Sequence, residues 1–146
     1  MKLIRIFVAA IMALALFSSC TKDDAVGTLT INGKTYNDIT ATYFIENDHF
    51  FNLFVTGAEI EGFGMCDTPA AFGKTVTIDE EFGYGDRLFM DVNYKDGKSY
   101  SAMPAKGKQT IKKKDSTHVL VEIDTVDEEG KAYKLSVVAK EENKAK

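Results

Sequence analysis

Few side chains in this 146-residue sequence could carry out chemistry, and their spacing matches no catalytic motif. His49 and His118 fall in separate predicted strands, and we expect each to lie at a strand edge or on the surface. A metal site would need them to meet in space and recruit a carboxylate. Cys66 has no histidine near it in sequence, which favours a small, half-buried residue over a nucleophile. The sequence also lacks the G-x-S-x-G, H-E-x-x-H and P-loop motifs. We therefore predict a protein that is not an enzyme and that holds no metal or cofactor.

Charged side chains are clustered, but not in a pattern typical of catalysis. Acidic residues gather in residues 79–86 and 124–129 without the D-x-D-x-D-G spacing of a calcium loop, and we interpret both stretches as solvated turns. A paired-carboxylate glycosidase is disfavoured because so small a chain offers no deep cleft. We expect a lysine-rich stretch to protect an exposed strand edge, with contact to lipopolysaccharide phosphates or acidic glycans as the alternative. It contains Lys106, Lys108, Lys112, Lys113 and Lys114.

Aromatic residues beside glycines are the most distinctive feature. They occur in two predicted loops, residues 57–73 and 79–86, and comprise Phe63, Phe72, Phe82 and Tyr84. Glycine lets the backbone approach a ligand closely, and exposed rings offer a platform for apolar groups or sugar rings. We predict that these four rings contact a protein, a glycan or an apolar ligand. The alternative is that they fold back and plug the ends of the β domain.

The composition, with 45% hydrophobic and 27% charged residues, fits one globular domain. The net charge is −4, and removal of residues 1–19, which contain the two cations Lys2 and Arg5, would leave −6. Nucleic-acid binding depends on concentrated positive charge, so the sequence argues against nucleic acid as the main partner.

The N-terminus predicts export and lipidation. A basic start is followed by an apolar run over residues 6–17, which is too short to span a bilayer, and then by Ser18, Ser19 and Cys20. Residues 16–20 resemble a bacterial lipobox, although Phe17 departs from the usual aliphatic residue. The resemblance implies a signal peptide at residues 1–19, cleavage before Cys20, and a lipid thioether on its sulfur that anchors the protein in a membrane.

Residues 20–26 follow as a lipidated anchor and tether. Within them Lys22, Asp23 and Asp24 resemble the signal that sends lipoproteins of Bacteroidetes to the outer face of the outer membrane. The resemblance implies exposure at the cell surface, and a protein facing the periplasm is the alternative. If Cys20 is lipidated, Cys66 has no partner in the chain, so we expect a monomer without a disulfide.

Residues 27–140 predict one all-β domain, an antiparallel sandwich or small meander barrel of about eight strands, followed by a polar tail at residues 141–146. Asn32-Gly33 is a strong hairpin signal, and residues 118–127 and 132–139 alternate between apolar and polar side chains, which predicts two strands with one inner face each. Residues 49–56 carry apolar side chains on both faces, which predicts a central strand covered on both sides. We expect residues 57–73 to be the least regular part of the domain, a loop with room for a short helical turn near residues 58–62.

A second resemblance concerns the C-terminal half. Residues 96–102, then Gly107 and Ile111, then a strand pair turning at Glu129 and Gly130, are similar to small β-rich lipoproteins of gut Bacteroidetes, some of them lipocalin-like. Taken together, we predict an outer-membrane lipoprotein with a non-enzymatic binding or structural role. The alternatives are a lipocalin-like carrier of a small apolar ligand and, third, an envelope enzyme or enzyme inhibitor.

Overall fold

The computed structural model describes residues 26–67 and 73–142, and it confirms the all-β prediction. The described residues form ten strands and one 3-10 turn, Tyr84–Asp86. The strands are β1 (Gly27–Ile31), β2 (Lys34–Glu46), β3 (Phe50–Thr56), β4 (Ile60–Asp67), β5 (Lys74–Ile78), β6 (Phe89–Tyr94), β7 (Ser99–Ala102), β8 (Pro104–Lys113), β9 (His118–Asp127) and β10 (Ala132–Glu141). No helix in these two described ranges is long and apolar enough to span a membrane.

All ten strands belong to one sheet that does not close. The order is β5-β8-β9-β10-β1-β2-β3-β4-β6-β7, and neighbouring strands are antiparallel. One further pairing is parallel: beyond the start of β1, residues 139–141 of β10 pair with residues 41–43 of β2. The predicted hairpin at Asn32-Gly33 is present, and both turn residues have positive φ, 48° and 87°.

The sheet curls around a single core. Tyr100 of β7 and Tyr133 of β10 lie far apart in the strand order, yet their rings are 6.5 Å apart. One hydrophobic cluster accordingly draws residues from all strands except β5. The alternation predicted for β9 is confirmed, because Val119, Val121 and Ile123 are buried while Glu122 and Asp124 are exposed. Burial of this inner face stabilises the fold, at about 25 cal/mol per Å² of apolar surface.

The expectation that residues 57–73 form a loop is wrong for residues 60–67, which form β4. Its glycines are inner-face packing positions rather than loop residues. A Cβ at Gly62 would lie 2.6 Å from Val55 Cγ2, and one at Gly64 would lie 2.2 Å from Met90 Sδ. The absence of side chains therefore lets large neighbours fill the core beneath β4.

The lysine-rich stretch lies on β8 and its C-terminal end. Strand β8 pairs with β9 along its length but with β5 only over residues 107–111, so of the five lysines only Lys108 has a paired strand on both sides. The described sheet has its edges at β5 and β7. Strand β10 ends at Glu141, so the first residue of the predicted polar tail belongs to the sheet.

Candidate binding surface

The outer side of β2, β3, β4 and β6 carries a group of large apolar side chains. We call this surface the aromatic face; its apolar members are Phe44, Phe50, Phe54, Phe63, Met65 and Phe89. The Phe44 and Phe54 rings stack with centroids 5.9 Å apart, and the Phe54 and Phe63 rings are 5.2 Å apart. The five phenylalanines are half-buried, and Met65 is 42% exposed.

The strand register arranges these side chains in rows that run across the sheet. Phe44, Asn52, Met65 and Phe89 lie opposite one another in successive strands, and Thr42, Phe54, Phe63 and Asp91 form the next row. Residues directly opposite in antiparallel strands have side chains about 5 Å apart, so each row is a continuous surface. Six apolar side chains separated by up to 45 residues in sequence therefore form one patch.

The other half of the outer surface is different. Strands β9, β10 and β1 present Thr28, Thr30, Glu122, Lys134 and Ser136 to solvent in the usual alternation of a sheet with one wet face. Asp124 and Lys134 pair there at 3.5 Å. Leu120, Val126 and Val138 are also apolar residues on this outer side. The three described strands β9, β10 and β1, however, contain no phenylalanine or methionine, unlike those of the aromatic face.

The prediction that β3 is covered on both sides holds for one side only. Phe51, Leu53 and Val55 are at most 1% exposed and belong to the core. On the other side, the principal contacts of β3 within the described residues are with β2 and β4, its neighbours in the same sheet. The described chain therefore provides no second layer over the aromatic face.

A shallow pocket of about 270 Å³ continues the aromatic face at one end. Phe50, Met65 and Phe89 line it together with Tyr84 from the 3-10 turn. Tyr84 is 57% exposed, and its hydroxyl donates a hydrogen bond to the Glu128 carboxylate, which raises the pKa of the tyrosine. The aromatic face thus extends from a strand surface into a concave site.

A buried polar network holds the loop that carries Tyr84. Arg87 is 7% exposed, and its guanidinium donates hydrogen bonds to the carbonyls of Asp79, Phe82 and Pro104 at 2.7, 2.9 and 3.1 Å. Gln109 of β8 accepts from the Leu88 N–H at 2.7 Å and donates to the Asp86 carbonyl at 2.9 Å. These bonds satisfy backbone groups of the loop and attach the loop to Pro104, the first residue of β8.

The four rings predicted from the sequence have different outcomes. Phe63 lies on strand β4 of the aromatic face, not in a loop, and Tyr84 lies in the adjoining pocket. Phe82 is half-buried, and its carbonyl accepts from Arg87. Phe72 lies outside the described residues. So do the predicted lipidation site and export signal, Cys20, Lys22, Asp23 and Asp24.

Five members of the aromatic face were missed: Phe44, Phe50, Phe54, Met65 and Phe89. The pattern of apolar residues on both sides of β3 could have found Phe50 and Phe54, whereas the other three lie on different strands.

A larger pocket of about 480 Å³ lies at the opposite end of the same strands, with Tyr36 and Tyr94 on its floor. Its charged residues are of both signs and are partly paired. Lys34 approaches Glu59 at 4.0 Å, and Lys98 approaches Asp96 at 4.0 Å. This balance gives the pocket no marked preference for an anion or a cation, so we assign it no role.

The side chains that could do chemistry occupy structural positions. Burial is the main cause that raises the pKa of Cys66 to about 12, with smaller effects from Asp67 and Asp86, so its thiol stays protonated at neutral pH. His118 is buried rather than at a strand edge or on the surface, and its Nδ1 lies 2.9 Å from an Asp115 oxygen. Hydrogen bonds from the Thr117 N–H and from His118 lower the Asp115 pKa to about 2. No group of residues in the described ranges has the arrangement of a metal site.

Comparisons with protein-family models, curated proteins and solved structures found no match for this chain.

Proposed function

We propose that this protein is a lipid-anchored, non-enzymatic binding protein of the cell envelope, and that it binds its partner through the aromatic face. The observation that carries the proposal is the concentration of five phenylalanines and Met65 on one half of the outer sheet surface. Contiguous exposed apolar patches are uncommon on soluble monomers and mark interaction sites. Full burial of an exposed apolar side chain gains roughly 1.5–3 kcal/mol, and because these rings are already half-buried a partner would gain only a fraction of that for each one.

The packing of the interior gives the alternative, a lipocalin-like carrier, no support. A carrier needs small side chains that leave the interior open. Here Phe51, Leu53, Met90 and Tyr133 are all fully buried and fill the core. The proposal therefore places the ligand outside the sheet.

The proposed anchor would keep the β domain close to a membrane. Residues 20–26 separate Cys20 from the first strand, and an extended chain of that length spans at most roughly 25 Å. With the Lys22-Asp23-Asp24 signal, we propose the outer membrane as the location, with the protein exposed at the cell surface. Stable anchoring needs two or more acyl chains, since one gives only marginal binding.

Lipidation is tested by metabolic labelling with a clickable palmitate. We expect the wild-type chain to be labelled and the Cys20→Ala variant to lose the label, because the thioether forms on that sulfur. Cys66→Ala is the matched control and should label normally. Equal labelling of wild type and Cys20→Ala would contradict the anchor.

The binding role is tested with a photoreactive benzoylphenylalanine placed at single positions in living cells. We expect irradiation to give a crosslinked species of higher mass when the probe replaces Phe63, since that ring lies at the centre of the aromatic face. The control places the same probe at Thr30, on the polar half of the outer surface. Adducts of equal yield at both positions, or none at position 63, would argue against this surface as the binding site.

A further inference from the structure

We infer that the partner of the aromatic face is a cationic amphipathic peptide segment, an inference that rests on the proposed binding function. All four charged residues on the outer side of β2 from Thr40 onward, β3, β4 and β6 are acidic: Glu46, Glu61, Asp67 and Asp91. Eighteen lysines and arginines occur in the chain, five of them in residues 106–114, so this face does not simply reflect the overall composition.

The carboxylates surround the apolar centre rather than interrupting it. In the register of the sheet, Glu46 and Asp67 flank Phe50 at one end of the strands. Glu61 lies at the other end, and Asp91 ends the row that contains Phe63. An apolar centre with a polar rim is the usual anatomy of an interface. Here carboxylates dominate the rim, and Arg87, the cation in the adjoining pocket, is 7% exposed and bonded to backbone carbonyls.

Groups at the border do not reverse this sign. Lys140 of β10 lies opposite Thr42 in the parallel pairing, but the Glu142 carboxylate accepts a hydrogen bond from the same threonine at 2.8 Å. His49 lies beside Asp67, with Nε2 3.7 Å from its Oδ1. The rim therefore remains acidic where the ligand would leave the apolar centre.

The dimensions suit an amphipathic helix. Four antiparallel strands are about 14 Å wide, and two adjacent rows of outward side chains extend roughly 7 Å along the strands, before the side chains themselves are counted. A helix is about 10–12 Å in diameter, and its apolar stripe is flanked by polar residues. If such a helix lay across the strands along the two rows that contain phenylalanines, its apolar stripe would contact the rings. The Lys and Arg side chains of the helix that flank the stripe would then reach the carboxylates.

The charge pattern disfavours three other occupants. A second copy of the chain would bring two acidic rims together, and an anionic membrane surface would be repelled. A neutral glycan could stack on the rings, but it would gain nothing from an acidic rim.

The experiment uses the full-length chain in phosphatidylcholine nanodiscs, with empty nanodiscs as background. Fluorescence anisotropy measures binding of a labelled helical peptide built from Leu and Lys. A second peptide with Glu in place of every Lys and a neutral maltooligosaccharide are the comparison probes. We expect the Lys peptide alone to bind, and its affinity to fall several-fold when NaCl rises from about 0.05 to 0.5 M.

Two variants map the site. We expect Glu46→Gln/Glu61→Gln to weaken binding of the Lys peptide about five- to tenfold, and Phe63→Ser to weaken it tenfold or more. Glu80→Gln/Glu122→Gln removes the same charge from exposed positions elsewhere and should bind like wild type. Melting curves establish that each variant is folded.

The outcomes separate this inference from the proposed function. Equal binding of the Lys and Glu peptides would contradict a cationic partner. Binding of the oligosaccharide would contradict it too, if Phe63→Ser abolished that binding. Neither result would contradict the aromatic face as the binding site. A dimer in sedimentation that Phe63→Ser dissociates would identify a second copy as the occupant instead. Failure of all probes to bind, with no crosslink at position 63, would overturn both.

Discussion

Replacing Arg87 by alanine should lower the free energy of unfolding by about 3–5 kcal/mol, because one buried guanidinium joins the loop after β5 to the start of β8. The carbonyls of Asp79, Phe82 and Pro104 all accept hydrogen bonds from it, and its side chain is almost completely excluded from water. Truncation removes the guanidinium donor from all three carbonyls, although that of Asp79 also accepts from the backbone N–H of Phe82 at 3.3 Å. It also opens a gap beneath the loop that carries Tyr84. Urea unfolding followed by circular dichroism measures the change.

Two further variants show whether the hydrogen-bond geometry is the cause. Arg87→Lys keeps the charge but cannot reach three carbonyls at once, so it should lose roughly half as much stability as Arg87→Ala. Lys98→Ala removes a cation whose side chain is 82% exposed, and it should change stability by less than about 0.5 kcal/mol. A loss below about 1 kcal/mol for Arg87→Ala would show that the loop does not depend on this network.

The sequence predicted the parts of the fold that depend on local patterns. Alternation in β9 and β10 identified their inner faces, because a strand places successive side chains on opposite sides. Asn32-Gly33 identified a hairpin, because both of its turn residues must adopt positive φ. Cys66 was expected to be a small, half-buried residue, and it is buried in the core.

Strand β4 could not be predicted in the same way, because its glycines are explained by distant residues. Glycine within a short segment normally indicates a turn or a break. Gly62 and Gly64 are compatible with a strand only because Val55 and Met90 fill the space that their side chains would occupy. That compensation involves other strands and leaves no trace in residues 57–73 themselves.

The aromatic face was also beyond local reasoning, although one of its residues was predicted. Phe63 was selected because glycines flank it, whereas its real neighbours are Phe54 on β3 and Asp91 on β6. The register of four strands brings those residues together, and register is a long-range property of the sheet. The acidic rim is still harder to predict, because Glu46, Glu61 and Asp91 come from three different strands.

Gly107→Ala should be comparably severe, with a loss of about 3–5 kcal/mol, because strain and steric overlap act together. Gly107 has φ of 142°, and an added Cβ would lie 2.2 Å from the Asp124 carbonyl oxygen and 2.7 Å from the Thr125 Cα. Both are backbone atoms of β9, so relief requires β8 and β9 to separate. Gly130→Ala is the matched control, since its φ is 80° but nothing lies within 4 Å of the added Cβ. It should cost only about 1–2 kcal/mol of strain. Equal losses for the two variants in urea unfolding would mean that contact between β8 and β9 is looser than the register indicates.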